Sequence, residues 1–168
     1  IMGHDPRRVF VEVTRGEEEK KTTKSRKTRL LELYKNCKED ARNWSKELKD
    51  YNEGQLRSKV LYLYYTQMGR CAYSGDLIDL GKINDKKFYE IDHIYTRSLT
   101  KDDSFSNLVL VKTELNQAKK DNYPLPESYQ SAQTIDLWRK LKAMELITPE
   151  KFDRLTRVEE LKDDELAS

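Results

Sequence analysis

The chain has 168 residues, of which 37% are charged, and its formal net charge is only +2. That length accommodates one modest core with appended helices. Its apolar runs are all shorter than the roughly 20 residues of a membrane-spanning helix, and no secretory signal is visible at the N-terminus. Cys37 and Cys71 stand apart without a CxxC partner, which argues against a zinc knuckle and fits a reducing cytoplasm.

The first predicted element is a short strand over residues 9–13, whose alternating pattern places Glu12 on the polar phase. It has no partner strand nearby in the sequence, so it is either a tail or part of a sheet that a larger parent completes. Residues 15–29 are predicted to form a flexible or weakly helical linker. Within that linker, residues 20–29 hold six basic residues and no acidic one. Such a segment suits either contact with phosphate groups or simple solvation.

Two amphipathic helices follow the linker. Apolar residues recur at helical spacing over residues 30–48 and again over residues 55–68, where Gly69 supplies a C-terminal stop. Three tyrosines of the second helix either stack on nucleic-acid bases or fill the core, and helical spacing favours the core. They are Tyr62, Tyr64 and Tyr65. Residues 71–79 are predicted to form a hairpin around a Ser-Gly turn.

The central stretch, residues 89–122, is YEIDHIYTRSLTKDDSFSNLVLVKTELNQAKKDN. We predict a strand over residues 88–95 with Asp92 and His93 at its centre, then a polar loop and a second apolar run over residues 108–111. A helix begins near Thr113 and carries Asn116. Strand, loop and helix thus bring a carboxylate, an imidazole and a carboxamide towards one another.

Beyond this stretch, the Tyr-Pro-Leu-Pro sequence at residues 123–126 forces an extended link. A long helix is predicted over residues 129–144. Thr148 followed by Pro149 marks the N-cap of a further short helix, and the charged residues 157–168 are expected to form a loose tail.

The three central side chains are those of a single-metal nuclease site. Mg²⁺ prefers oxygen ligands and keeps several waters, which suits the sparse pair Asp92 and Asn116, while His93 is the natural base. Successive strand residues point to opposite faces, so Asp92 and His93 face one pocket only if the strand ends or twists there. The alternative is a local hydrogen bond or cap at Asp92 and His93, with Asn107, Asn116 and Lys119 as ordinary loop and surface residues.

These residues, in this order and spacing, closely resemble the HNH (ββα-metal) nuclease motif, specifically the HNH domain of RNA-guided CRISPR type II effector endonucleases. The resemblance extends from about Gln55 to WRKLKAMELITPEKFDRLT at residues 138–156. It implies an α+β, mostly helical fold with a ββα-metal core and surrounding helices, acting as a DNA endonuclease. Thr96 departs from relatives that often carry proline after the histidine strand.

The resemblance also implies a role for each site residue. His93 would activate water as the general base, and Asp92 and Asn116 would bind one Mg²⁺, with Mn²⁺ as a substitute. Asn107 would orient the histidine loop, and Lys119 would contact the scissile phosphate.

At the N-terminus, VFVEVTRGEEE resembles the second RuvC-like segment of the same effectors, in which the residue matching Glu12 binds metal. Since the first and third RuvC-like segments are not in this chain, we do not expect Glu12 to form a working site here. The resemblance divides the chain into a RuvC-like strand fragment (1–14), a linker (15–29), the HNH domain (30–155, with its ββα centre at about 71–122) and a return linker (156–168).

In such a parent, guide RNA pairs with DNA and the HNH domain cuts the guide-complementary (target) strand. The expected setting is CRISPR antiviral defence in the bacterial cytoplasm. Expected partners are the target strand in the RNA–DNA heteroduplex, the guide RNA, the RuvC and recognition domains of the parent and anti-CRISPR inhibitors, with no membrane. Two alternatives remain: a stand-alone homing-type HNH nuclease, against which the flanking segments argue, and a non-catalytic helical interaction module.

Overall fold

A computed structural model describes residues 25–35 and 43–162. Several predicted features lie outside the described residues: the strand at residues 9–13 with Glu12, residues 15–24 of the linker, Cys37, and the last six residues of the return linker.

Six α-helices and one two-stranded sheet make up the described part of the chain, which confirms the predicted mostly helical α+β fold. The elements are α1 (Arg26–Tyr34), α2 (Trp44–Lys49), α3 (Lys59–Thr66), β1 (Tyr89–His93), β2 (Leu108–Lys112), α4 (Thr113–Lys119), α5 (Ala132–Ala143) and α6 (Pro149–Thr156), with 3-10 turns at Gln55–Arg57, Leu80–Lys82 and Glu127–Tyr129. None of these described helices is long and apolar enough to cross a membrane.

The helix predicted over residues 30–48 begins earlier than its apolar pattern suggests. α1 starts at Arg26, inside the segment predicted as linker, because the Ser25 side chain caps it by accepting a main-chain hydrogen bond. A separate helix, α2, starts at Trp44, whose ring packs against rings from α1 and α3. The three helices therefore share one aromatic core.

α3 is shorter than the predicted helix over residues 55–68. Ser58 caps its start, and the chain reverses after it at Met68 and Gly69, which have φ angles of 53° and 67°. The predicted stop at Gly69 is confirmed, since this left-handed conformation suits glycine. The three tyrosines of α3 are 0% to 6% exposed, so they fill the core.

A tight turn follows α3 and lies beside the sheet. Gly75 has a φ angle of 78° and its amide donates to the Cys71 carbonyl at 2.8 Å, so a turn forms at the predicted Ser-Gly position. The predicted hairpin is reduced to an isolated bridge between Arg70 and Leu77, without two regular strands in this described segment. The Ala72 amide donates to the carbonyl of Leu110 in β2 at 3.2 Å. The indole of Trp138 in α5 donates to the Ala72 carbonyl at 2.8 Å. The turn is thus fixed between β2 and α5.

β1 and β2 form an antiparallel pair in which Asp92 lies opposite Val109 and His93 opposite Leu108. Residues 108–111 are at most 2% exposed, because β2 packs against α3 and α4. β2 leads directly into α4, which packs on both strands. The predicted order of strand, loop, strand and helix is confirmed, although the first strand is shorter than predicted.

The last two helices begin at capping residues. Ser131 caps α5, so the helix predicted over residues 129–144 starts at Ala132 instead. Thr148 caps α6 with Pro149 at its first position, as predicted. After α6 the chain continues without regular structure to the last described residue.

Candidate active site

Asp92 lies near the end of β1, and one of its carboxylate oxygens is held by two donors. The Tyr73 hydroxyl donates to Oδ2 at 2.6 Å and the Lys119 ammonium donates to the same atom at 2.7 Å. The other oxygen, Oδ1, makes no hydrogen bond with any described residue. The carboxylate is therefore oriented while one oxygen remains available to a further ligand.

Tyr73 reaches Asp92 from the turn at residues 71–79. Its side chain is buried, and its ring stacks on that of Tyr129 with the ring centroids 5.2 Å apart. Burial raises the pKa of Tyr73 well above its usual value, and the charge of Asp92 and the hydrogen bond to it raise the pKa further. The phenol therefore stays protonated and acts as a donor.

Lys119 is fully buried at the end of α4. Its Nζ lies 2.7 Å from Oδ2 of Asp92 and 3.0 Å from the carbonyl oxygen of His93. A buried ammonium needs such partners, because an unpaired charge is costly to remove from water. A positive charge thus lies directly beside the Asp92 carboxylate.

His93 is the last residue of β1, and its imidazole bonds to the loop that connects the strands. Its Nε2 lies 2.6 Å from Oδ1 of Asp103, which also pairs with Arg97 at 3.1 Å. A carboxylate oxygen accepts hydrogen bonds, so Nε2 of His93 is the donor to Asp103, and this hydrogen bond lowers the pKa of Asp103. Asp92 and His93 contact different groups, as the alternation along a strand predicts.

Asn107, immediately before β2, ties this loop together and is fully buried. Its Oδ1 accepts from the Tyr95 amide at 2.8 Å, and its Nδ2 donates to the carbonyls of Tyr95 and Asp102 at 3.0 and 2.8 Å. Burial opposes ionisation of Asp102, but hydrogen bonds from Ser104 and Arg154 outweigh it and lower the pKa to about 2. The loop is therefore anchored by both its main chain and its carboxylate.

Asn116 is half-buried on α4, three residues before Lys119 and so on the same face of the helix. Its carboxamide makes no hydrogen bond with any described residue. A carboxylate oxygen and an uncommitted carboxamide are the kinds of oxygen donor that a hard divalent ion prefers. Within residues 25–35 and 43–162, no cluster of three or more His, Cys, Asp or Glu side chains is placed to hold a metal.

Residues 71–125 match the HNH endonuclease family. The chain is also similar to proteins named CRISPR-associated endonuclease Cas9. That of Streptococcus mutans is 36% identical over 172 residues, covering 99% of this chain and 12% of the relative. That of Listeria innocua is 33% identical over 95% of this chain and 12% of the relative. That of Campylobacter jejuni is 47% identical over 64 residues, covering 38% of this chain and 6% of the relative.

The chain carries an HNH domain of the Cas9 type. It spans about 12% of the length of the first two relatives. The family match includes all the predicted site residues except Glu12, which lies outside both the match and the described residues. The residues inside it are Asp92, His93, Asn107, Asn116 and Lys119.

Two residues of the HNH domain that contact this site were not predicted from the sequence. Tyr73 belongs to the CAYSG turn, where nothing in its spacing distinguishes it from an ordinary core aromatic residue. Asp103 is the second of two successive aspartates in the loop, and only the fold shows that it, and not Asp102, bonds to His93.

Proposed function

We propose that the HNH domain is a metal-dependent DNA endonuclease that cleaves the guide-complementary strand within an RNA-guided CRISPR type II effector. The observation that supports this proposal is the state of Asp92: Tyr73 and Lys119 hold one of its oxygens, and the other makes no hydrogen bond with the described residues. The Asn116 carboxamide, on the same helix as Lys119, also makes none with them, and His93 is the next residue along the strand.

Asp92 and Asn116 would hold one Mg²⁺, or Mn²⁺ in its place. When bound, the ion neutralises charge on the scissile phosphate and stabilises the leaving oxygen. Lys119 contributes a second positive charge beside Asp92. Its proposed contact with the phosphate would require the ammonium, which is fully buried here, to leave Asp92.

His93 is proposed as the general base that accepts a proton from the attacking water. Because Asp103 bonds to Nε2, Nδ1 is the nitrogen left to accept that proton. Asn107 makes no hydrogen bond with the imidazole. It instead holds the loop that carries Asp103, through its hydrogen bonds to Tyr95 and Asp102.

The proposed partners follow from the effector context. The guide RNA reads sequence by base pairing, and the target strand in the heteroduplex is the substrate. RuvC and recognition domains of the parent position that substrate, and anti-CRISPR inhibitors are candidate ligands. The setting is antiviral defence in the bacterial cytoplasm. Glu12 would bind metal only where the parent supplies the other RuvC-like segments.

The alternative of a non-catalytic interaction module has less support. A nucleic-acid-stacking version of it would use the tyrosines of α3, and these are buried. Such a module also has no need for the uncommitted oxygen of Asp92 or the uncommitted carboxamide of Asn116, which metal-dependent cleavage would use.

The proposal is tested with a chimera in which this chain replaces the matching segment of the Streptococcus mutans relative. The chimera is given a guide RNA and a duplex labelled separately on each strand. We expect the guide-complementary strand to be cut with Mg²⁺ or Mn²⁺ and to stay intact with a chelator. Asn116→Ala should slow that cut by about 100-fold, whereas Asn52→Ala, at an exposed turn, should not.

Cutting of the other strand shows that the chimera has assembled on its target. If that strand is cut in the wild-type chimera while the guide-complementary strand stays intact, the proposed function is wrong. Equal cutting by Asn116→Ala and wild type would contradict the metal assignment.

A further inference from the structure

We propose that Tyr73 and Tyr129 form a paired brace that sets the separation and orientation of the two metal ligands, Asp92 and Asn116. This inference rests on the proposed metal site. Neither tyrosine is proposed to touch the phosphate or the water, so both are positioning residues.

On the strand side, the brace fixes Asp92. Tyr73 is 2% exposed and its hydroxyl lies 2.6 Å from Oδ2. A tyrosine has two side-chain torsions, whereas a lysine has several, so its hydrogen bond costs less conformational entropy to hold in one geometry. The main chain beside it is also fixed, because Ala72 bonds to β2 and to Trp138.

On the helix side, the brace fixes the turn that carries Asn116. The ring of Tyr129 stacks on that of Tyr73, with planes 24° apart. The Tyr129 hydroxyl donates to the carbonyl oxygen of Leu115 at 2.6 Å, and Leu115 immediately precedes Asn116 on α4. One stacked pair therefore contacts β1 at one end and α4 at the other.

The brace matters most when a cation binds beside Asp92. Tyr73 and Lys119 share one carboxylate oxygen, and the ammonium repels an incoming divalent ion. The Tyr73 hydroxyl is neutral and does not. It is therefore the donor that keeps the carboxylate oriented once the ion is in place, in the way that outer partners of metal ligands generally act.

The experiment measures Mn²⁺ binding to the 168-residue chain by electron paramagnetic resonance of the free ion. Tyr73→Phe and Tyr129→Phe each lose one hydroxyl and keep the stacked rings, and each should weaken Mn²⁺ binding about 10-fold. Tyr65→Phe is the matched control, because the Tyr65 hydroxyl also donates to a carboxylate at 2.6 Å, that of Glu47, between α2 and α3. It should bind Mn²⁺ within about twofold of wild type.

Asp92→Asn separates the brace from the metal site itself and should lose Mn²⁺ binding. If it does so while both site variants, Tyr73→Phe and Tyr129→Phe, bind like wild type, the brace is refuted and the metal site stands. If Asp92→Asn binds as tightly as wild type, the proposed metal site is wrong and the brace falls with it. Thermal unfolding is followed for every variant to show that it is folded. If Tyr73→Phe does not fold, the Mn²⁺ affinity of Tyr129→Phe decides whether the brace exists.

Discussion

Replacing Lys119 by methionine should destabilise the chain through one buried ion pair. Lys119 is 0% exposed and its partner Asp92 is 13% exposed, with the two atoms 2.7 Å apart. Methionine keeps most of the aliphatic packing but leaves the carboxylate without its counter-charge. Breaking a buried pair typically costs about 3 to 5 kcal/mol. Since Asp92 keeps its hydrogen bond from Tyr73, we expect about 3 kcal/mol, at the lower end of that range.

Urea unfolding of the 168-residue chain, with a chelator present, measures this free energy. Lys112→Met is the matched control: Lys112 lies the same 2.7 Å from Asp76, but the two side chains are 29% and 54% exposed, so the loss should stay below about 1 kcal/mol. The double variant Asp92→Asn with Lys119→Met should be more stable than Lys119→Met alone, because it carries no uncompensated carboxylate. Equal losses for the two single lysine variants would refute the reasoning.

Three further predictions concern the surroundings of the site. Asn107→Ala removes Oδ1, the acceptor of the Tyr95 amide, so that amide should exchange its hydrogen about tenfold faster by NMR; unchanged protection would contradict this. Arg154→Met removes one of the two residues that lower the pKa of Asp102, the other being Ser104, and should lower the free energy of unfolding by about 1 kcal/mol at about pH 6. The pKa of Asp102 is about 2 in the fold against an ordinary 3.8, so this stabilisation is full above the ordinary value and lost as the pH falls through about 2. Urea unfolding of wild type and Arg154→Met at a series of pH values checks this prediction. If the difference in their free energies of unfolding does not shrink in acid, the stabilisation does not come from ionised Asp102. Trp138→Phe loses the indole hydrogen bond to the turn at residues 71–79. Thermal unfolding should show a free energy of unfolding lower by about 2 kcal/mol. A decrease well below about 1 kcal/mol would mean that other contacts hold the turn.

The ββα centre could be predicted from the sequence because its signals are local. The apolar run at residues 108–111 is almost completely buried, and the helix after it begins at Thr113 as predicted. Helix starts were predicted less well. Ser25 and Ser131 cap α1 and α5 at positions that the apolar pattern alone does not mark, because a cap is chosen by main-chain geometry and not by hydrophobic periodicity.

The contacts around the candidate site depend on long-range packing, which the sequence pattern does not contain. Tyr73 and Lys119 meet at Asp92 from a turn and from a helix end, 19 and 27 residues away along the chain. As an ordinary helix residue Lys119 would be expected at the surface, and burial is possible only because the Asp92 carboxylate and the His93 carbonyl satisfy its ammonium. The proposed roles of Asn107 and His93 remain predictions, to be tested by chemistry.

The most direct measurement is strand-resolved cutting by the chimera with His93→Ala. Duplex labelled on each strand is incubated with guide RNA and Mg²⁺, and the wild-type chimera is run in parallel. We predict that His93→Ala abolishes cutting of the guide-complementary strand while the other strand is still cut. If both strands are cut as in the wild-type chimera, His93 is not the base, and the segment around Asp92 and His93 is scaffold.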